Sequence, residues 1–184
     1  RGYKMVIIMP CNMSEEGKKI FEFYGAKLLE VEAGDFDGAI LLRDNMCDDK
    51  GWFNCNQFHN ELNIKAHYNE TGPEIYNQLT DINQQVPDAL ILGTGTGGTI
   101  MGTGKFLREK WPSMKIIAVE PEESPVMSGG EAGLHGIQGI GDGSKFLVDL
   151  EKVDNIITIA TLDAKERSRR LARENGLFVG ISSG

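Results

Sequence analysis

Residues 91–100 read I-L-G-T-G-T-G-G-T-I and put four glycines and three threonines into seven successive positions. No other stretch limits the fold so strongly. The apolar run Ala89, Leu90, Ile91 and Leu92, with Val86 before it, reads as a strand, and residues 100–110 read as a helix. Strand, glycine loop and helix in that order gather backbone N–H groups and the positive end of a helix dipole at one point, which suits a phosphate. Thr94, Thr96 and Thr99 add hydroxyl donors that a loop shaped only for packing does not need. Two kinds of phosphate ligand fit. Gly93, Gly95 and Gly98 match G-x-G-x-x-G, and Glu120 ends the next strand near the spacing of an acid on a ribose hydroxyl, the pattern of a dinucleotide site.

The rest of the chain narrows the classes. Its 184 residues allow one core or two small lobes, and the apolar run at residues 5–10 is far too short to span a membrane. With 27 acidic residues against 19 basic ones, nucleic acid and anionic membrane surfaces are excluded as expected partners. Cys11, Cys47 and Cys55 are odd in number and lack C-x-x-C spacing, so they read as reduced thiols, and no metal site is expected. His59, His67 and His135 stand apart and read as surface or supporting residues. The chain opens at Arg1 on an apolar strand pattern and closes on Ile181-Ser182-Ser183-Gly184, so both ends are expected to be cuts inside a larger protein.

Taken in order, residues 4–9 read as a strand buried on both faces, Ser14 caps a helix with Ile20, Phe21 and Tyr24 on one face, and Gly25 ends it. Residues 27–31 read as a strand and 35–46 as a helix. The segment 51–59, rich in aromatic and amide side chains, fits either core or the wall of a ligand cleft. A helix follows over 61–68, then another capped by Thr71, with Pro73 in its first turn and Ile75, Leu79 and Ile82 on its buried face. After the glycine loop and its helix come a strand at 115–119 and a long glycine-rich segment at 121–143, which reads as a lid or site wall. A strand at 155–160, a helix at 163–175 ended by Gly176 and a last strand at 177–181 complete an alternating parallel α/β pattern in two lobes.

Several motifs stand in a telling order: R-G-Y-K-M-V-I-I-M-P with M-S after it, F-Y-G-A-K-L, N-Q-F followed by T-G-P-E-I, G-T-G-T-G-G-T, V-E-P-E-E-S-P-V-M-S-G-G, H-G-I-Q-G-I-G-D-G and G-I-S-S-G. Through them the whole chain resembles the cysteine synthase and cystathionine β-synthase family of pyridoxal-phosphate enzymes. The resemblance implies the two-lobed parallel-sheet α/β fold of the tryptophan-synthase β-like enzymes, here an internal fragment, with residues 1–59 in a smaller lobe and 60–184 in a larger cofactor-binding lobe. It implies that Gly95, Thr96, Gly97, Gly98 and Thr99 hold the phosphate of pyridoxal 5'-phosphate and that Ser182 meets the pyridine nitrogen. A neutral hydroxyl there suits β-elimination and β-replacement. Gln57 is then implied to bind the substrate carboxylate, with Gly139 and Gly141 in the wall facing the substrate. A cytoplasmic homodimer acting on a small amino acid is also implied. The dinucleotide reading, an oxidoreductase, leaves S-P-V-M-S-G-G, Q-G-I-G and G-I-S-S-G without a role, and a non-catalytic scaffold that binds a partner is a third reading.

Two departures from the family pattern bear on chemistry. The family's Schiff-base lysine and its asparagine loop for the substrate carboxylate precede the position where this chain begins, and His59-Asn60-Glu61-Leu62-Asn63 replaces the usual P-A-N-P, so the usual donor substrate is in question. Asp142 stands where cysteine synthases commonly carry a small residue. A carboxylate in that wall reads either as a solvent-facing acid or as a general base for addition at Cβ, and the second reading implies a cysteine-consuming, sulfide-releasing enzyme.

Overall fold

The computed structural model describes residues 2–83 and 86–184. Arg1, the first residue of the R-G-Y-K run and of the 1–59 lobe, lies outside them. The chain divides into two compact units at Cys55/Asn56. Among the described residues no helix is long and apolar enough to cross a membrane.

The first unit is a βαβα arrangement. Strands β1 (Val6–Pro10) and β2 (Lys27–Val31) pair in parallel, from Val6 opposite Lys27 to Pro10 opposite Val31. Helix α1 (Glu15–Phe23) crosses between them because Ser14 accepts the Gly17 N–H at 3.2 Å and Gly25 takes a positive φ just past its end. Helix α2 (Phe36–Lys50) starts where Asp35 accepts the Gly38 N–H at 2.8 Å and runs a turn beyond the 35–46 expected, until Gly51 ends it in the left-handed conformation. Strand β1 is half-buried rather than covered on both faces, since Val6 to Met9 all keep partial exposure.

The second unit carries a three-stranded parallel sheet in the order β3 (Ala89–Gly93), β4 (Lys115–Pro121), β5 (Asn155–Ile159). Helix α5 (Gly98–Lys110) makes the crossover between the parallel strands β3 and β4. Its Ile100, Met101 and Leu107 pack with Met114, Ile116 and Ala118 to form the main core. Preceding this sheet, α3 (Leu62–Ala66), a π-helical stretch at His67–Thr71 and α4 (Gly72–Asn83) run on without a break. Thr71 is therefore no cap: it closes the π-helical turn with its hydroxyl 2.9 Å from His67 Nδ1. Ile75 packs on the core, but Ile82, expected beside it, is exposed.

Helix α5 lies against α3 and the π-helical stretch because its glycines allow it. A Cβ at Gly102 would stand 2.2 Å from the Ile64 carbonyl oxygen and 2.8 Å from the Tyr68 nitrogen. Helix α6 (Thr161–Asn175) ends at Gly176 in the left-handed conformation. Residues 177–181 do not form the strand their apolar pattern suggests. Their polar groups go to α6 instead, the Leu177 N–H to the Leu171 carbonyl at 3.1 Å and the Ser168 hydroxyl to the Val179 carbonyl at 3.0 Å, while Phe178 faces outward. A short 3₁₀ turn, Ile181–Ser183, follows.

Candidate functional site

At the C-terminal end of β3 the glycine loop opens onto a cavity of about 320 Å³, lined by Gln57, Gly93, Thr94, Gly95, Thr96, Gly97, Thr99, Ile100, Gly139 and Asp142. The carboxyl end of a parallel strand next to a helix start is where ligands sit in open α/β sheets. Gly97 takes φ 88° as the residue before α5 and has no side chain to cap it, so the first N–H groups of the helix have no intrahelical partner; that of Gly98 approaches Thr96 Oγ1 at 3.4 Å. The loop leaves no room for larger residues. A Cβ at Gly97 would stand 2.7 Å from Val148 Cγ2, one at Gly95 2.9 Å from the Gly139 carbonyl oxygen, and one at Gly98 1.9 Å from Asn63 Oδ1.

The three threonines divide. Thr94 is buried, and its hydroxyl lies 3.2 Å from the Val119 carbonyl oxygen, so it serves the sheet rather than a ligand. Thr96 and Thr99 line the cavity with their hydroxyls held from behind: Thr96 Oγ1 accepts from Asn63 Nδ2 at 3.0 Å, and Thr99 Oγ1 lies 3.1 Å from His67 Nε2. The segment after the wall, residues 144–148, supports the loop by another route, with the Leu147 N–H donating to the Thr96 carbonyl at 3.1 Å. Gln57 is placed by its neighbour Phe58, whose ring lies 4.4 Å from that of Phe146.

The opposite wall comes from residues 121–143. Buried Glu120 accepts the Met127 N–H at 2.8 Å, the Ser128 N–H at 2.9 Å and the Ser128 hydroxyl at 2.6 Å, so the acid that matched a ribose partner in the sequence is committed to this turn. Glu123 accepts the Thr161 N–H at 2.9 Å, supplying a cap to α6 that the helix's own Ala160 cannot. Burial works against the Glu123 charge, but the Thr161 bonds and nearby His135 outweigh it and hold the carboxyl below its ordinary range.

His135 is no free surface residue. Its Nδ1 accepts the Ile137 N–H at 3.2 Å, which leaves Nε2 as the protonated nitrogen, donating to the Gly141 carbonyl at 2.9 Å. Gly141 in turn gives its N–H to the Thr94 carbonyl at 2.9 Å. The wall is thus tied to the glycine loop one residue before Asp142. Partial burial pushes the Asp142 carboxyl up from the ordinary range, with His135 opposing the rise.

Of the residues singled out in the sequence, Gln57, Gly95, Thr96, Gly97, Thr99, Gly139 and Asp142 meet around this cavity. Gly98 sits behind it against Asn63, and Gly141 is the tie between wall and loop. Ser182 lies on the 3₁₀ turn, with its carbonyl oxygen 3.8 Å from where a Cβ of Gly93 would be. Asn63, His67 and His135 were not read as site residues, because a supporting bond between segments far apart in sequence leaves no local pattern.

A phosphate monoester fits this arrangement. The cradle offers backbone N–H groups and two hydroxyls, in a loop whose glycines let it pack against Gly139, Val148 and Asn63 where a Cβ would clash. The fold and the cradle together define a phosphate-anchored cofactor site of the parallel α/β class. The model of the pyridoxal-phosphate dependent enzyme family matches residues 1–184, and the chain belongs to that family, whose cofactor is pyridoxal 5'-phosphate. Among its relatives, the cysteine synthase of Staphylococcus aureus (strain Mu50 / ATCC 700699) is 41% identical over 188 residues, which cover 100% of this chain and 59% of the relative. A hydrogen sulfide-producing enzyme from Fusobacterium nucleatum is 38% identical with TM-score 0.91, over 99% of this chain and 55% of that one. An aspartate-to-asparagine form of a hydrogen sulfide-producing enzyme, complexed with an α-aminoacrylate intermediate, is 37% identical with TM-score 0.93, over 99% of this chain and 56% of that one. The chain thus spans 59% of the length of the curated relative it matches.

Proposed function

We propose that the protein carries out pyridoxal-phosphate-dependent β-elimination and β-replacement on serine- or cysteine-type amino acids, as cysteine synthases do. The observation that carries this reading is the pairing, around one cavity, of an uncharged anion cradle at residues 95–99 with a single carboxyl group, Asp142, on the facing wall. In this reading Gly95, Thr96, Gly97, Gly98 and Thr99 hold the cofactor phosphate, and Ser182 hydrogen-bonds the pyridine nitrogen. Gln57 orients the substrate carboxylate, and Gly139 and Gly141 shape the wall. The cofactor supplies the electron sink for loss of the β-substituent. Residues 1–59 and 60–184 are parts of the smaller and larger lobes of the enzyme, which works as a cytoplasmic homodimer.

A second reading concerns the direction of the chemistry, and Asp142 favours it. A carboxylate whose pKa is raised toward the working pH is a better proton acceptor than an ordinary surface acid. Set in the wall, it would take the proton of water or another nucleophile that bonds to Cβ of cysteine after the Cβ–S bond has broken and sulfide has left, so that the net reaction consumes cysteine and releases sulfide. The similarity to hydrogen sulfide-producing enzymes supports this direction. The test supplies the purified, cofactor-loaded complete protein with L-cysteine alone, and separately with an O-activated serine plus sulfide. Faster sulfide release from cysteine supports the second reading, faster cysteine formation the first, and neither product overturns both.

A further inference from the structure

We propose that Asn63 is a positioning residue that joins the phosphate cradle to the Gln57 segment, so that filling one seat organises the other. This deepens the function proposed above and rests on it.

The carboxamide of Asn63 projects from the first turn of α3 and spends both of its N–H bonds, one on the Gln57 carbonyl at 3.0 Å and one on Thr96 Oγ1 at 3.0 Å. A carbonyl oxygen can only accept, so the Gln57 contact identifies that corner of the amide as the nitrogen and excludes the flipped orientation. Thr96 Oγ1 therefore receives a proton from Asn63, and the Gly98 N–H approaches the same oxygen at 3.4 Å. With its acceptor capacity taken from behind, the hydroxyl has its own proton left for a guest in the cavity that Thr96 lines. Asn63 thereby turns Thr96 into a donor aimed at an anion.

The same side chain explains Gly98. A Cβ there would stand 1.9 Å from Asn63 Oδ1 and 2.4 Å from its Cγ, so the glycine clears the space in which the amide lies. Asn63 reaches the loop only because α3 and α5 approach so closely, which Gly102 permits. Its other bond ends on the backbone of Gln57, the residue proposed to orient the substrate carboxylate. An anion that tightens the Thr96 end pulls on the same rigid, planar amide that fixes the Gln57 end.

The experiment uses the complete protein with three substitutions. Asn63→Ala and Asn63→Asp should each weaken pyridoxal-phosphate retention and raise KM for L-cysteine about tenfold, with kcat changed far less, and Asp should be the worse because it sets a negatively charged acceptor against the Gln57 carbonyl and beside the anion seat. Thr96→Val touches nothing in the Gln57 segment, yet should also raise KM for cysteine, and combining it with Asn63→Ala should add little further loss of cofactor. If the Asn63 variants do not fold, Thr96→Val alone decides: an unchanged KM overturns the coupling. So does an Asn63→Ala protein that loses cofactor but keeps wild-type KM. If the wild type takes up no pyridoxal phosphate, the proposed function fails instead, and inorganic phosphate then probes the coupling directly by NMR. The peptide N–H of Phe58 should shift on titrating phosphate into the wild type and stay still in Asn63→Ala; equal shifts in both overturn the inference.

Discussion

The two loops that face each other across the cavity work by opposite means. The glycine loop, residues 93–98, carries no charge, and in the proposed function it would attract an anion through backbone N–H groups at a helix start and hydroxyls turned by partners behind them. The wall, residues 139–143, carries one ionisable group whose protonation is set by surroundings. The first is a matter of shape, so any side chain spoils it. The second is a matter of environment, so small changes around Asp142 tune it. Each loop is held from outside itself, the first by α3 and the π-helical stretch through Asn63 and His67, the second by His135 and by the Thr94 carbonyl, both of which bond Gly141.

The severest break is on the side of shape. Gly97→Asp or Gly98→Asp in the complete protein is expected to abolish cofactor retention, because each adds a carboxylate beside the phosphate seat and a Cβ where Val148 or Asn63 already lies. The visible absorbance of the purified variant reads this directly, and a normal spectrum would contradict it.

Next comes Asp142→Asn. It should slow addition of the nucleophile about a hundredfold to ten-thousandfold while leaving departure of the β-substituent nearly intact, the range general-base catalysis covers. Stopped-flow absorbance with L-cysteine separates the two phases; equal decay in variant and wild type would return Asp142 to the class of ordinary surface acids. The pH profile sharpens the point. Since burial raises the Asp142 pKa, the acid limb of the addition step should lie above the ordinary carboxyl range of about 4 and vanish in the variant. For stability the sign follows from the same shift. A raised folded-state pKa contributes stability below the unfolded value that is lost as pH rises through the folded one, so the variant should gain on the wild type between about pH 4 and neutrality. Urea denaturation at both ends of that window checks it.

Glu120→Ala removes an acid that accepts three hydrogen bonds inside the wall and should cost about 3 kcal/mol, read as a lowered urea midpoint.

The mildest change is His135→Gln. Loss of its bonds to Ile137 and Gly141 should cost about 1 kcal/mol, and because the charge of His135, when its ring is protonated, lowers the Asp142 pKa, the acid limb of the addition step should move to still higher pH. An unmoved limb would mean that burial alone sets that group.

Much of this architecture was legible in the residues because local chemistry decides it. Ser14, Asp35 and Gly176 start or stop helices through bonds and backbone angles that span at most a few positions, and the run from Ala89 to Lys110 announces strand, cradle and helix by its own composition. The apolar pattern at 177–181 misled for the complementary reason. It shows what those side chains are, but not that the backbone bonds to α6 instead of a sheet. Thr94 and Thr96 look alike in the sequence, yet one faces Val119 inside the sheet and the other the cavity, a distinction made by which strand lies next to the loop. The chemistry of the cradle therefore belongs to the sequence, since glycines and hydroxyls act where they stand. The identity of the residues that aim it, Asn63, His67 and His135, belongs to tertiary structure, because a hydrogen bond between segments tens of residues apart exists only once helices and strands have packed.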